Sequence, residues 1–261
     1  MKINKTGTFG IDISKWQGNI DIKATGANFV IIKAGGSDDG LYMDSKFRRN
    51  YSECKKLNIP CGLYWYTKAG SVADLEQEIK FLLANIDGMK FELPIYLDIE
   101  EESIYDVSND LAVYWLTALY EKKYYPGIYC GYYWTTDKLT DPIIGTFPFW
   151  LAYWDDDRPD LKWNYGLWQQ GSKKMVGGLE VDIDWLFYDY ESVIKENGLN
   201  GYTKEPFTDV NKETDHYKDI IWAADLGLVK GFNDGTFKPA EPLTRGQICT
   251  ILHRLYNLLK G

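Results

Sequence analysis

Eight short apolar or aromatic runs recur over residues 1–190, each bounded by Gly, Pro, Asn or Asp, and this pattern restricts the chain to a strand-rich α/β fold. The runs cover 8–14, 28–35, 59–66, 93–100, 127–134, 147–154, 165–170 and 180–188. Helical periodicity separates them in the first half only. Ser71 suits an N-cap for a helix over 71–86, where Val72, Leu75, Ile79, Leu82 and Ile86 share one face. The stretch 108–123 repeats the pattern with Leu111, Trp115, Ala118 and Leu119, and 44–57 offers a weaker third helix. After residue 134 the gaps are too short for long helices. Eight strands with early helices predict an irregular TIM-like β/α barrel, with an open α/β sheet as the alternative.

The last 61 residues read differently. The whole chain has 29 basic and 38 acidic residues, net −9, while residues 201–261 carry eight of each. Residues 1–200 therefore hold all the excess acid, together with nine of ten Trp and seventeen of twenty Tyr. Gly198, Gly201 and Pro206 punctuate a junction, so the expected domains are 1–200 and 201–261. The second is read as a small all-helical unit, with helices over 216–226 and 244–259 around a glycine-rich turn at 231–239. Its core is too small to stand alone, so it is expected to lean on a neighbour or on copies of itself.

Several function classes fall away. An acidic chain is a poor partner for nucleic acid, and no apolar run is long enough to cross a membrane. His216 and His253 both lie in the short unit, so the larger one has no histidine for triad or zinc-protease chemistry. Acid–base work there falls to carboxylates, Tyr, Lys or Cys. Cys54, Cys61, Cys130 and Cys249 form no CxxC pair and are read as small buried hydrophobes. No apolar stretch follows Lys2 and Lys5, so no Sec signal is expected and synthesis is assigned to the cytoplasm.

Residues 95–100 alternate without a break. Ile95, Leu97 and Ile99 point one way; Tyr96, Asp98 and Glu100 point the other. Carboxyls two residues apart on a strand have Cα atoms about 6.6 Å apart. Like charges that close raise one pKa, which suits the acid that glycoside hydrolysis needs. A solvated edge strand would give the same pattern. Asp12 at the end of one run, and Asp182 with Asp184 in another, add acids from further strands, at the kind of position where barrels build active sites. Tyr64, Tyr66, Tyr129 and Trp154 offer flat faces for sugar rings, with core packing as the alternative.

Four motifs together, Phe9-Gly-Ile-Asp12-Ile-Ser14, Pro94-Ile-Tyr-Leu-Asp98-Ile-Glu100, Leu167-Trp-Gln169 and Val181-Asp182-Ile-Asp184, resemble those of glycoside hydrolase family 25. The resemblance runs over about residues 7–190 and implies a bacterial or phage N-acetylmuramidase, a lysozyme acting without metal or cofactor. It implies Glu100 as general acid, Asp98 as the group that orients or stabilises the reacting sugar or acts as nucleophile, and Asp12 and Asp182 as acids tuning Glu100. Gln169 and Asp184 would join the four aromatics in binding substrate. The bond cut would be the β-1,4 link between N-acetylmuramic acid and N-acetylglucosamine of peptidoglycan. A glucosaminidase or chitinase-like enzyme, or a non-catalytic wall-binding module, is the alternative.

Residues 207–256 resemble the S-layer homology repeat, in Phe207-Thr-Asp209-Val210, Gly227-Leu-Val-Lys-Gly231, Asp234-Gly-Thr-Phe-Lys-Pro239 and Leu243-Thr-Arg245. That resemblance implies binding of a pyruvylated secondary cell-wall polysaccharide, with Arg245 meeting its charge and Asp234 and Gly235 beside it. Such repeats usually come in threes. A single repeat here predicts a homotrimer, or another homo-oligomer, formed through this unit. Together the two resemblances predict a phage or prophage endolysin anchored at the wall and released through a holin-type pore.

Overall fold

The early barrel strands of the larger unit are flanked by two apolar environments, because helices cover one face and the barrel interior lies on the other. The computed structural model describes residues 3–176 and 179–260. In chain order the larger unit holds β1 (Ile3–Ile13), α1 (Ile22–Thr25), β2 (Val30–Gly36), β3 (Tyr42–Met43), α2 (Phe47–Leu57), β4 (Cys61–Tyr66), α3 (Val72–Ile86) and β5 (Ile95–Asp98). It continues with α4 (Ser108–Glu121), β6 (Pro126–Gly131), α5 (Tyr132–Asp137), β7 (Phe149–Ala152), β8 (Leu167–Val176), β9 (Leu179–Tyr188) and α6 (Tyr190–Asn197).

Eight strands close in the order β1-β2-β4-β5-β6-β7-β8-β9, with β9 returning to β1 and the short β3 attached beside β2. All barrel neighbours are parallel except β9, which is antiparallel to both β8 and β1. An antiparallel neighbour needs no crossover helix, which is one reason the helices thin out late in the chain.

Two apolar layers result. Outside the strands, Leu63, Trp65, Ile95, Leu97 and Ile128 pack against Leu75, Ile79, Leu82, Leu111 and Trp115 of α3 and α4. Burying each of these aliphatic side chains stabilises by about 1.5–3 kcal/mol. Inside, Phe29, Ile31, Tyr96, Tyr129, Trp150 and Leu167 form a second cluster that fills the barrel. Gly127 makes room for it, since a Cβ there would stand 2.6 Å from the Tyr96 ring. Helix α3 starts where its cap demands: Ser71 Oγ accepts from Asp74 N at 3.2 Å.

Four expectations need correction. Cys54, Cys61 and Cys130 are buried as expected, but Cys249, in the C-terminal unit, is exposed, because that unit has little core to bury it in. Residues 132–134, read as the end of a strand, open helix α5; their aromatic content suits a strand, but β6 ends at Gly131 and the backbone turns helical from Tyr132. Strand β5 stops at Asp98, so Glu100 follows the strand rather than belonging to it. Strand β7 stops at Ala152, which leaves Trp154 beyond it. Elements β3, α1 and α6 were not anticipated.

The chain divides after Tyr202. Buried Asn200 accepts from Tyr125 N at 2.7 Å and donates to the Leu93 carbonyl at 2.9 Å, and Tyr202 Oη donates to Glu92. These bonds tie residues 200–202 to the barrel. The second unit, from Thr203, holds α7 (Tyr217–Asp225) and α8 (Arg245–Lys260). Phe207, Val210 and Ile220 make its buried cluster, and the Phe207 and Phe237 rings lie 4.7 Å apart. No described residue of α8 is buried. No helix among the described residues is long and apolar enough to cross a membrane.

Candidate active site

Parallel strands deliver their last residues to one mouth of the barrel, and β9, running the other way, delivers its first ones. Asp12 sits near the end of β1 and pairs in register with Asp182 of β9. Asp98 ends β5, with Tyr66 and Tyr129 as its register partners on β4 and β6. Gln169 on β8 faces Asp184 on β9. Asp12, Asp98, Gln169 and Asp184 are buried, Asp182 is half-buried, and Glu100 reaches solvent just past the strand. The acids expected from separate segments therefore meet in one place.

A hydrogen-bond network runs through them. Gln169 Nε2 donates to Asp12 Oδ2 at 2.9 Å, while Gln169 Oε1 accepts from Tyr129 Oη at 3.1 Å and from Trp154 Nε1 at 3.2 Å. Trp154 itself is 65% exposed, so its ring lies open at the rim while its N–H is held. Trp150 Nε1 donates to Asp184 Oδ1 at 2.8 Å. Tyr66 Oη donates to Glu101 Oε2 at 2.7 Å, and Lys68 Nζ lies 3.3 Å from the same oxygen. Asp98 Oδ1 is buried with no hydrogen-bond partner among the described residues.

Crowding of acids in a poorly hydrated mouth raises their pKa values. Burial, then the charge of Asp182, pushes Asp12 up to about 7, against hydrogen bonds from Gln169 and Asp184. Burial, then Glu100, raises Asp98 well above the usual carboxylate range, with Lys33 opposing. Glu100 also rises: the cleft walls desolvate it although its tip meets water, Asp182 and Glu101 add to the effect, and Lys33 again opposes. Burial and Glu180 raise Asp182, and burial and Asp12 raise Asp184. Tyr64 and Tyr129, pushed up mainly by burial, remain neutral phenols.

Sequence reasoning missed Lys33, Trp150 and Glu101. Lys33 lies on β2 in register with Tyr64, and its Nζ stands 4.8 Å above the Tyr66 ring and 5.7 Å from that of Tyr64. A lone cation at an inward position of an otherwise apolar strand was the signal for it. Trp150 was visible as the inward residue two before Ala152, but a tryptophan on a buried strand reads as packing.

No cluster of three or more His, Cys, Asp or Glu with metal-holding geometry occurs among the described residues. A cavity of about 360 Å³ at the opposite end of the barrel is lined by Phe29, Leu93, Tyr188 and Tyr190, away from the carboxyls at the mouth.

In the second unit, Arg245 opens α8 and is exposed. Asp234 Oδ1 accepts from Thr236 N at 3.0 Å and from Thr236 Oγ1 at 2.6 Å, and the adjacent Gly235 has φ +83°. These two residues form a turn. A groove of about 340 Å³ is lined by Lys230, Phe232, Lys238, Leu243 and Arg254, and its lining does not include Arg245, Asp234 or Gly235.

Comparison with known proteins follows the same division. The family described as glycosyl hydrolases family 25 matches residues 11–179, and the S-layer homology domain matches residues 206–249. The chain is 26% identical over 201 residues to Lysozyme M1 of Streptomyces globisporus, covering 69% of this chain and 67% of that one. The spore cortex lytic enzyme SleM of Clostridium perfringens superposes with a TM-score of 0.61 at 23% identity, over 71% of this chain and 69% of its own. The CTP1L endolysin superposes with a TM-score of 0.62 at 19% identity, over 97% of this chain and 100% of its own.

Proposed function

The chain belongs to glycosyl hydrolases family 25, and from that membership, which makes it a glycoside hydrolase of peptidoglycan, we propose that it is an N-acetylmuramidase. It cuts the β-1,4 bond between N-acetylmuramic acid and N-acetylglucosamine. The observation that carries the reading is the meeting of Asp12, Asp98, Glu100 and Asp182 at one barrel mouth with every pKa raised. Glu100, at the solvent edge and holding its proton, gives it to the leaving glycosidic oxygen. Asp98, buried beside it, balances the positive charge that develops on the sugar, and Lys33 is the cation that favours its ionised form. Asp12 and Asp182 keep the mouth negative and so favour protonated Glu100. Tyr64, Tyr66, Tyr129, Trp154 and Gln169 supply ring faces and hydrogen bonds for the glycan, and buried Asp184 acts from beneath them.

The test is product analysis. Purified peptidoglycan is digested, new termini are reduced with borohydride, and the amino sugar is identified after hydrolysis. Muramitol, lost in Glu100→Gln, is the expected result. Glucosaminitol would make the enzyme a glucosaminidase, and no new termini would make the barrel a wall-binding module.

The enzyme acts at the cell wall, with the S-layer homology domain as its targeting unit. In the finer reading Arg245, with the Asp234–Gly235 turn, contacts an anionic secondary polysaccharide, and three copies associate through this unit. The open apolar side chains of α8 support the association. Arg245→Ala is expected to reduce pelleting with polysaccharide-bearing walls but not with stripped ones. An endolysin role belongs to the same proposal; its check is lysis from within only when a membrane-pore protein is co-expressed.

A further inference from the structure

The influences on the Glu100 carboxyl are burial and the charges of Lys33, Asp182 and Glu101, with no hydrogen bond among them. Its position is therefore inherited from the backbone on either side. Before it, Ile99 is buried, and its N–H donates to the Tyr129 carbonyl on β6 at 2.9 Å. After it, Glu101 lies beyond the end of β5, where strand pairing has stopped. Something other than the sheet has to fix that side.

Side-chain bonds replace the missing ladder. Glu101 Oε2 accepts from Tyr66 Oη, at the end of β4, at 2.7 Å, and Lys68 Nζ in the following loop lies 3.3 Å from the same oxygen. Burial and this bond push the Tyr66 phenol well up, so it stays a donor. The Glu101 carbonyl accepts from the N–H of buried Ile104 at 3.1 Å, which opens a single helical turn over Glu102–Ile104. The anchors are themselves fixed. Lys68 N donates to Ser37 Oγ at 2.7 Å, and Ser37 N donates to the Tyr66 carbonyl at 3.1 Å, joining the loops after β2 and β4. An exposed ion pair alone holds little, but a phenol donating to a carboxylate is charge-assisted and directional.

Resting on the reading of Glu100 as the general acid, we propose that Glu101 is its positioning residue: through Tyr66 and Lys68 it fastens the segment after β5, and so holds the adjacent Glu100 carboxyl where the leaving oxygen of the glycan is protonated. A small displacement of an acid from its proton acceptor costs much of its rate. The charge of Glu101 also favours the protonated form of Glu100. Placement and charge are separable, because glutamine in its place removes the charge and keeps an oxygen that accepts from Tyr66.

The test compares two leaving groups in the full chain: soluble peptidoglycan fragments, and a nitrophenyl β-glycoside of an N-acetylmuramic acid oligosaccharide that the wild type turns over. A nitrophenolate needs little help from an acid, whereas a sugar oxygen needs its proton. Glu101→Ala is expected to lose at least about tenfold in kcat on peptidoglycan fragments but less than about threefold on the nitrophenyl glycoside. Glu101→Gln is expected to recover most of that loss. Glu102→Gln, one residue further on with an exposed side chain, is expected to match wild type within about twofold on both substrates. Equal losses in Glu101→Ala and Glu101→Gln would reduce the role to charge and overturn the proposal. Equal losses of Glu101→Ala on the two substrates, with circular dichroism showing a folded chain, would also overturn it. A wild type that makes no new termini in peptidoglycan would instead overturn the muramidase reading, and this inference with it.

Discussion

Lys33 sets the pH range over which Asp98 and Glu100, the acids of the proposed reaction, titrate. Its charge lowers the pKa of both Asp98 and Glu100. Removing it raises both, so the pH range in which Asp98 is ionised and Glu100 protonated moves upward as a whole. Lys33→Met is therefore expected to shift both limbs of the pH–activity profile to higher pH by about one unit, and Lys33→Arg to leave them near wild type. Limbs that stay in place would mean that Lys33 only stacks on Tyr64 and Tyr66. Asp12 makes a second prediction, about stability. Its pKa, about 7 when folded against an ordinary 3.8, means that the folded chain holds that proton more tightly than the unfolded one. The stabilisation is full below about pH 4 and is lost as pH rises through about 7. Thermal melts from acid to neutral pH should show Tm falling more steeply in wild type than in Asp12→Asn, by up to a few kcal/mol in stability. At this scale the sequence showed the acids well, because a charged residue in an apolar alternating run has few reasons to be there. Lys33 obeys the same rule, a single charge on an otherwise apolar strand. The register that sets Asp12 opposite Asp182 was out of reach, since it depends on the pairing of β1 with β9, which lie at opposite ends of the larger unit's sequence.

Elements were legible where one periodicity acted alone. Helices α3 and α4 followed from their apolar stripes, and Ser71 marked the start of α3. The failures came where two signals overlapped. Residues 132–134 are aromatic enough for a strand but follow a strand end at Gly131 and coil into α5. The direction of β9 could not be read from its own residues, because alternation is the same in either sense; only its pairing with β8 and β1 brings Asp182 and Asp184 to the mouth. Two glycines inside strands are spacers, which alternation does not reveal. Gly10 would place a Cβ 2.3 Å from the Phe29 ring and Gly127 one 2.6 Å from that of Tyr96, both in the layer that fills the barrel. Gly127→Ala is expected to cost about 1–3 kcal/mol by forcing Tyr96 and its neighbour Trp150 apart, measured as a lower midpoint in urea. Because Trp150 holds Asp184, the same variant should lose activity before it unfolds. An unchanged midpoint would mean that the interior cluster yields more easily than close packing allows.

On the scale of the whole molecule the two units rest on very different cores. The barrel buries two extensive apolar clusters, whereas the C-terminal unit buries only Phe207, Val210 and Ile220 in its own cluster. Leu228 adds a fourth buried side chain, still a small core for a unit of this length. Helix α8 holds what is missing. Ile248, Leu252, Tyr256 and Leu259 are 45%, 58%, 54% and 79% exposed, and their spacing of four, four and three residues puts them on one face. Its charges lie at the two ends, Arg245 one turn before Ile248 and Lys260 Nζ 4.5 Å from the Tyr256 ring, so copies can meet along the uncharged middle without burying an unpaired ion. The unit as a whole is neutral, with eight basic and eight acidic residues, so repulsion between copies is weak. Association of three chains along α8 would let each unit bury its stripe against the others, which a lone two-helix unit cannot do. Sedimentation equilibrium at micromolar concentration is expected to return three times the monomer mass of 30.1 kDa. Leu252→Glu, which sets like charges against one another at the centre of the stripe, is expected to return a monomer that still cleaves soluble peptidoglycan fragments but pellets less with whole walls. A wild-type chain that stays monomeric throughout that range would end the proposal, and would leave the exposed stripe of α8 without a partner in copies of this chain.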